Sequence, residues 1–128
     1  MAENRSMHWL EMAEYDIESA RVMQNGGRYL YVGFLCHLTA EKALKAVIAR
    51  DGTIPLKTHT LARLAELAGL IEILTDTQKI LLNELHPLNI EARYSAYKDK
   101  IAAILNHDYC EKLIERMEVF LLWIKQQL

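Results

Sequence analysis

The sequence predicts an all-helical protein folded as one domain. Three observations carry this: a length of 128 residues, only five Gly and two Pro, and apolar residues that recur at helical spacing along most of the chain. A many-stranded protein of this size needs more turn material. The apolar share of 52% with 25% charged residues is an ordinary globular balance, and a chain of this length buries roughly two-thirds of its unfolded surface in one core.

The first helix is read over about Arg5 to Gln24, where Leu10, Ala13, Ile17 and Ala20 fall on one stripe. Asn25-Gly26-Gly27 stops it, because Gly and Asn accept the left-handed backbone that closes a helix. A second helix runs from Arg28 to about Asp51. Its first half, with Tyr29, Leu30, Tyr31, Val32, Phe34, Leu35, Cys36 and Leu38, is apolar on every side, which places it at the centre of a bundle. Gly52 and Pro55 end it.

After a linker from Thr53 to Thr58, Leu61, Leu64, Ala65 and Ala68 mark a short third helix closed near Gly69. Thr75-Asp76-Thr77-Gln78 matches a capping box. The fourth helix that it opens is expected to run to about His86, before Pro87. Residues 87 to 107 are the least regular part and are read as a long structured connection with a helical turn at Ile101 to Leu105. A last helix is expected from Asp108, with Cys110, Leu113, Met117, Phe120, Leu121 and Ile124 inward.

Composition excludes several kinds of function. A formal net charge of -2 gives no bulk attraction to polyanions, so contact with nucleic acid has to come from a local basic cluster. Cys36 and Cys110 stand far apart without CxxC spacing and read as small buried hydrophobes in a reducing compartment. The polar N-terminus is unlike a signal peptide, and the most apolar stretch, Tyr29 to Ala40, is too short to span a bilayer, so a cytoplasmic location is expected. HExxH, GxxxxGK[ST] and GxSxG are absent, and no two of His8, His37, His59, His86 and His107 stand at i, i+4. Neither a metal site nor a cofactor is expected.

Three short segments remain as candidates. His37, Glu41 and Lys45 share one helix face at i, i+4 and i+8, and read either as a solvated Glu41–Lys45 bridge or as a functional polar strip. Lys57-Thr58-His59-Thr60-Leu61 opens the third helix, with its threonines as caps or its N–H groups and His59 as phosphate donors. Ala92 to Lys100 interleaves Arg93, Tyr94, Tyr97 and lysines, and reads as a solvated loop or as a nucleotide contact in which Arg takes phosphate and Tyr stacks. Trp9, Met12, Met23, Met117, Phe120 and Trp123 read as core or dimer contact.

In order and spacing these pieces resemble the HEPN family, the higher-eukaryote and prokaryote nucleotide-binding domain. The resemblance rests on Ala13-Glu14-Tyr15-Asp16-Ile17-Glu18-Ser19-Ala20, Gly26-Gly27-Arg28-Tyr29, Ala40-Glu41-Lys42-Ala43-Leu44-Lys45, His59-Thr60-Leu61 and Ala92-Arg93-Tyr94 before a last helix ending in Trp123. It implies an antiparallel bundle of about five helices with a four-helix up-and-down core, usually a homodimer. It further implies a nucleotide- or RNA-binding role beside a minimal nucleotidyltransferase, of toxin–antitoxin or substrate-binding type. Glu41, Lys45, His59, Arg93 and Tyr94 match family positions, which the resemblance makes ligand-binding residues of one polar cleft.

Many members are ribonucleases with an Arg-x(4–6)-His motif near the last helix. No arginine of this chain is followed by a histidine at that spacing, and the tyrosine of the extended motif has no counterpart. Ser95 also stands where proline commonly follows the Arg-Tyr pair. The reading is therefore a non-catalytic binding subunit. Its alternatives are a metal-independent ribonuclease pairing Arg93 with His59 or His107, and a helical protein-interaction module.

Overall fold

The computed structural model describes residues 2–90 and 95–128, with side chains described for 4–89 and 99–128. Among the described residues every regular element is a helix: α1 (Ala2–Asn25), α2 (Tyr29–Arg50), α3 (Leu61–Leu67), α4 (Asp76–Ile90), α5 (Ser95–Ile104) and α6 (His107–Gln126).

Gly27 lies at φ 72°, and the Arg28 and Gly27 N–H groups donate to the Met23 and Gln24 carbonyls. That doubly bonded left-handed turn closes α1 and reverses the chain within three residues, so α1 and α2 pack antiparallel. Gly69 at φ 73° closes α3 in the same way, with Leu70 and Gly69 donating to Ala65 and Glu66. At Thr75 the capping box forms as expected. The Thr75 N–H donates to Gln78 Oε1, and the Gln78 N–H donates to Thr75 Oγ1.

Polar contacts fix the remaining directions. Glu14 meets Lys125 and Arg21 meets Glu118, which runs α6 antiparallel to α1. Glu84 takes both Arg116 nitrogens at 2.9 and 3.0 Å and the Tyr109 hydroxyl, tying α4 to α6. Tyr29 stacks edge-on to His107 at one end while Arg50 donates to the Gln127 carbonyl at the other, so α2 and α6 run parallel. The four long helices thus form the up-and-down bundle, and α3 and α5 are short additions to it.

The central role expected for α2 is observed, since it packs on each of the other five helices. An uninterrupted run from Ala43 to Ala49 is buried. A run of buried residues over two turns means that opposite faces of the helix are both covered.

Three expectations change. α4 does not stop before Pro87 but continues to Ile90 with Pro87 inside it. Proline removes one N–H from the ladder, leaving the Asn83 carbonyl without its helical donor. Asn83 is exposed, which keeps the cost of that missing bond low, while Leu88 and Asn89 beyond the proline are buried and hold the extra turn in place. The stretch read as a connection contains a ten-residue helix, α5, anchored by Ile101 and by Leu105 just beyond its end. Among the described residues two buried apolar side chains support it, too few to give a readable stripe. α6 begins one residue earlier than expected, because the Asn106 side chain accepts from the Tyr109 N–H and is the true N-cap.

Candidate functional site

α2 places His37, Glu41 and Lys45 on one face, as their spacing requires. This face is not a solvated strip. Glu41 is 4% exposed, Lys45 7% and His37 fully buried. Each ionised group has partners, as burial demands. Glu41 Oε2 accepts from Lys45 Nζ at 3.1 Å, and Glu41 Oε1 lies 2.7 Å from His59 Nδ1. The Lys45 ammonium also sits 5.2 Å from the centre of the Trp9 ring on α1, in cation–π range.

His59 comes from the segment between α2 and α3. Gly52, at φ 83°, turns the chain away from α2, and the Thr58 hydroxyl accepts from the Thr60 N–H at 3.2 Å. The Thr58 hydroxyl thus shapes the turn before α3, and Thr60 caps α3 without a side-chain bond. The imidazole stays well exposed, its side chain 60% accessible, yet it is anchored by a carboxylate that is almost wholly buried. With Nδ1–H donating to Glu41, Nε2 is left free to face solvent.

His37 lies one turn along α2 from Glu41, its Nδ1 3.9 Å from Glu41 Oε1, and neither ring nitrogen has a hydrogen-bond partner. Burial pushes this imidazole down to about 4. The Glu41 charge opposes the shift, and His86 and His59 add to it. His37 is therefore a neutral wall of the site at ordinary pH.

Of the five residues expected to bind ligand, Glu41, Lys45 and His59 come together around one carboxylate. Arg93 and Tyr94 lie outside the described residues. Lys45 is also less free than a phosphate-binding cation needs to be, since Glu41 and Trp9 already hold it. Trp9, read from sequence as core or dimer contact, belongs to this cluster through Lys45. Nothing in its own segment signals that, because the lysine it meets is on the next helix. His86 approaches His37 from α4, and its own segment gives no sign of this either.

His107, the other histidine considered for catalysis, stands against Tyr29 at the far end of α2, with Nδ1 3.2 Å from Asp108. A rise of about 1.5 Å per residue separates Tyr29 from Glu41 by roughly 18 Å along the axis. Within one chain His59 and His107 thus belong to different places. Among the described residues no group of His, Cys, Asp and Glu is arranged to hold a metal ion, and no helix is long and apolar enough to cross a membrane.

Both cysteines are free and buried. Desolvation raises the Cys36 thiol far above its usual range and raises Cys110 to about 11, so neither offers a thiolate near neutral pH.

The fold and sequence both match known proteins. The crystal structure of TT1696 from Thermus thermophilus superposes with a TM-score of 0.81 at 23% identity, covering 98% of this chain and 99% of that one. The structure of ST0689, an archaeal HEPN homologue, gives a TM-score of 0.67 at 25% identity over 96% of this chain and 97% of that one. A comparison with curated proteins gives no match. The HEPN domain profile matches residues 6–127, and with nearly the whole length inside that match the chain belongs to the HEPN family.

Proposed function

We propose that the protein binds the phosphate of a nucleotide or RNA at the Glu41–His59 cluster, as a non-catalytic subunit acting with a nucleotidyltransferase-type partner and pairing with a second copy of itself. The observation that carries the ligand reading is the 2.7 Å contact between the buried Glu41 carboxylate and the exposed His59 imidazole. A buried carboxylate orients the ring, and an imidazole that carries a proton on the outward Nε2 donates it to a phosphate oxygen. Lys45 adds positive potential from behind, while Arg93 and Tyr94 are the residues proposed to take phosphate and stack on a base.

Thermal unfolding against mononucleotides and short RNAs, with and without magnesium, tests this. A ligand that binds only the folded protein stabilises it by about 2.7 kcal/mol at a hundredfold excess over its dissociation constant. The shift is expected to vanish in His59→Ala and Arg93→Ala. His59 is the cleaner of the described positions, since its exposed ring leaves the fold intact when removed. A shift that survives both substitutions places the ligand elsewhere.

The ribonuclease alternative keeps one specific support, a carboxylate-oriented histidine of the kind that serves as a general base. RNA cleavage in chelator, lost in His59→Ala, is its signature.

A further inference from the structure

The Gly26-Gly27-Arg28-Tyr29 turn has no part in the Glu41–His59 cluster, yet it opens onto a cavity of its own. This cavity, of 320 Å³, lies between the start of α2 and the end of α5. Its size is at the lower end for a small-molecule site and suits a single nucleotide. Leu105 is buried and Leu30 half-buried, so together they give it an apolar floor, while Arg28 and Tyr31 stand exposed at its rim.

Two features set this place apart from ordinary surface. Arg21, Arg63 and Arg116 are each engaged by carboxylates. The Arg28 side chain makes no ion pair or hydrogen bond among the described residues, and the first turn of α2 holds no acidic residue to compete for it. Its backbone is already committed, the N–H donating to Met23 and the carbonyl accepting from Tyr31 and Val32, so the turn is fixed and the guanidinium is the free group. Tyr31 is 59% exposed, whereas the ring of its neighbour Tyr29 is taken up by His107. An exposed tyrosine beside a free guanidinium offers a face for a base and a fork for the phosphate attached to it. Leu30 and Glu41 are eleven residues apart on α2, three turns plus about 20°. The cavity and the cluster therefore lie on nearly the same side of the helix, roughly 16 Å apart along its axis. At a stacked rise of about 3.4 Å per nucleotide, a single strand covers that span in about five nucleotides.

We infer that Arg28 and Tyr31 form a second subsite, which takes one nucleotide of a single-stranded RNA while another phosphate of the same strand sits at His59. The inference rests on the phosphate reading of the Glu41–His59 cluster above, and it narrows the ligand to a single-stranded RNA of about five nucleotides or more. Arg28 binds the phosphate oxygens, Tyr31 stacks on the base, and Leu30 and Leu105 keep water from the base's buried edge.

Fluorescence anisotropy of labelled oligoribonucleotides with the full chain, from a dinucleotide to about eight nucleotides, tests this by length. Affinity is expected to rise steeply once the strand reaches about five nucleotides. Arg28→Ala and Tyr31→Ala are each expected to weaken binding of the longer strands about tenfold and to leave the shortest unchanged. Both side chains are exposed, so the melting temperature of the free protein stays the same in either variant. Arg28→Ala is also expected to make the salt dependence of the longer strands shallower by about 0.7 in log–log slope, the share of one phosphate, and Arg28→Lys to restore that slope. His59→Ala is expected to weaken strands of every length. Long-strand binding that is lost in His59→Ala but indifferent to Arg28→Ala and Tyr31→Ala overturns the second subsite and leaves the first reading standing. An equal loss at every length overturns the division into two subsites, and no RNA binding at any length overturns both readings.

Discussion

Glu41 holds two different neighbours on its two oxygens, a buried lysine and an exposed histidine, and the consequences of losing it follow from that division. Replacing it with Gln removes the negative charge that pairs with the Lys45 ammonium, which is 7% exposed and otherwise faces the Trp9 ring. Removing one partner of a buried pair is costly, and Glu41→Gln is expected to destabilise the protein by about 3 kcal/mol in urea unfolding at neutral pH. His59→Ala, on the outer oxygen, is expected to change stability by less than about 1 kcal/mol, which separates the binding half of the cluster from the structural half. His37 contributes through pH. Its folded value of about 4 lies below the ordinary 6.5, so the unfolded chain takes up the proton first as pH falls. Stability attributable to His37 is therefore full above pH 6.5 and is lost between there and pH 4, at about 1.4 kcal/mol per unit. The groups facing the ring are Glu41, His59 and His86; the Glu41 charge and the His59 backbone resist the loss, while the His86 and His59 side chains add to it. His37→Leu also removes two unpartnered buried nitrogens. The variant is expected to match or exceed the wild type at pH 7 and to pull ahead by about 2 kcal/mol at pH 5, measured as the pH dependence of the urea midpoint.

At the scale of the helices, their ends and their one irregularity give separate predictions. Thr75→Ala removes half of the reciprocal cap on α4 and is expected to cost about 1 kcal/mol. Pro87→Ala restores an N–H for the Asn83 carbonyl within α4, and is expected to stabilise by about 1–2 kcal/mol after the greater freedom of the unfolded chain is set against the gain. Both are read from thermal or urea unfolding. The same ends show what is legible in the sequence. Where a local rule is strong, as with Gly27, Gly69 and the Thr75–Gln78 box, the element boundary is readable because the residues that form it are neighbours in the chain. The end of α4 is not, because the local rule, proline, is overruled by the burial of Leu88 and Asn89 against other helices. α5 reads short for the matching reason: the hold on it comes from residues such as Leu88 and Leu105 meeting across elements, and the close approach of Leu105 to the Gly33 position is invisible in either segment alone.

Across the whole molecule, α2 is both the middle of the core and the carrier of the site, and this explains which parts of the site can be foreseen. The shared face of His37, Glu41 and Lys45 follows from helical spacing, whereas their burial, the arrival of His59 on Glu41 and the place of Trp9 under Lys45 depend on how three elements meet. The bundle therefore builds one constellation from its best and least protected backbone. Glu41 and Lys45 belong to a helix enclosed on all sides, whose amides open only when the whole protein does. His59 belongs to residues 51–60, which contain no helix and are mostly exposed. Hydrogen exchange should divide the cluster cleanly, with the Ala43–Ala49 amides among the slowest and those near His59 among the fastest. A phosphate ligand held at His59 would slow the second set without altering the first. The binding step would then have the character of fastening a loop to a wall that was already standing.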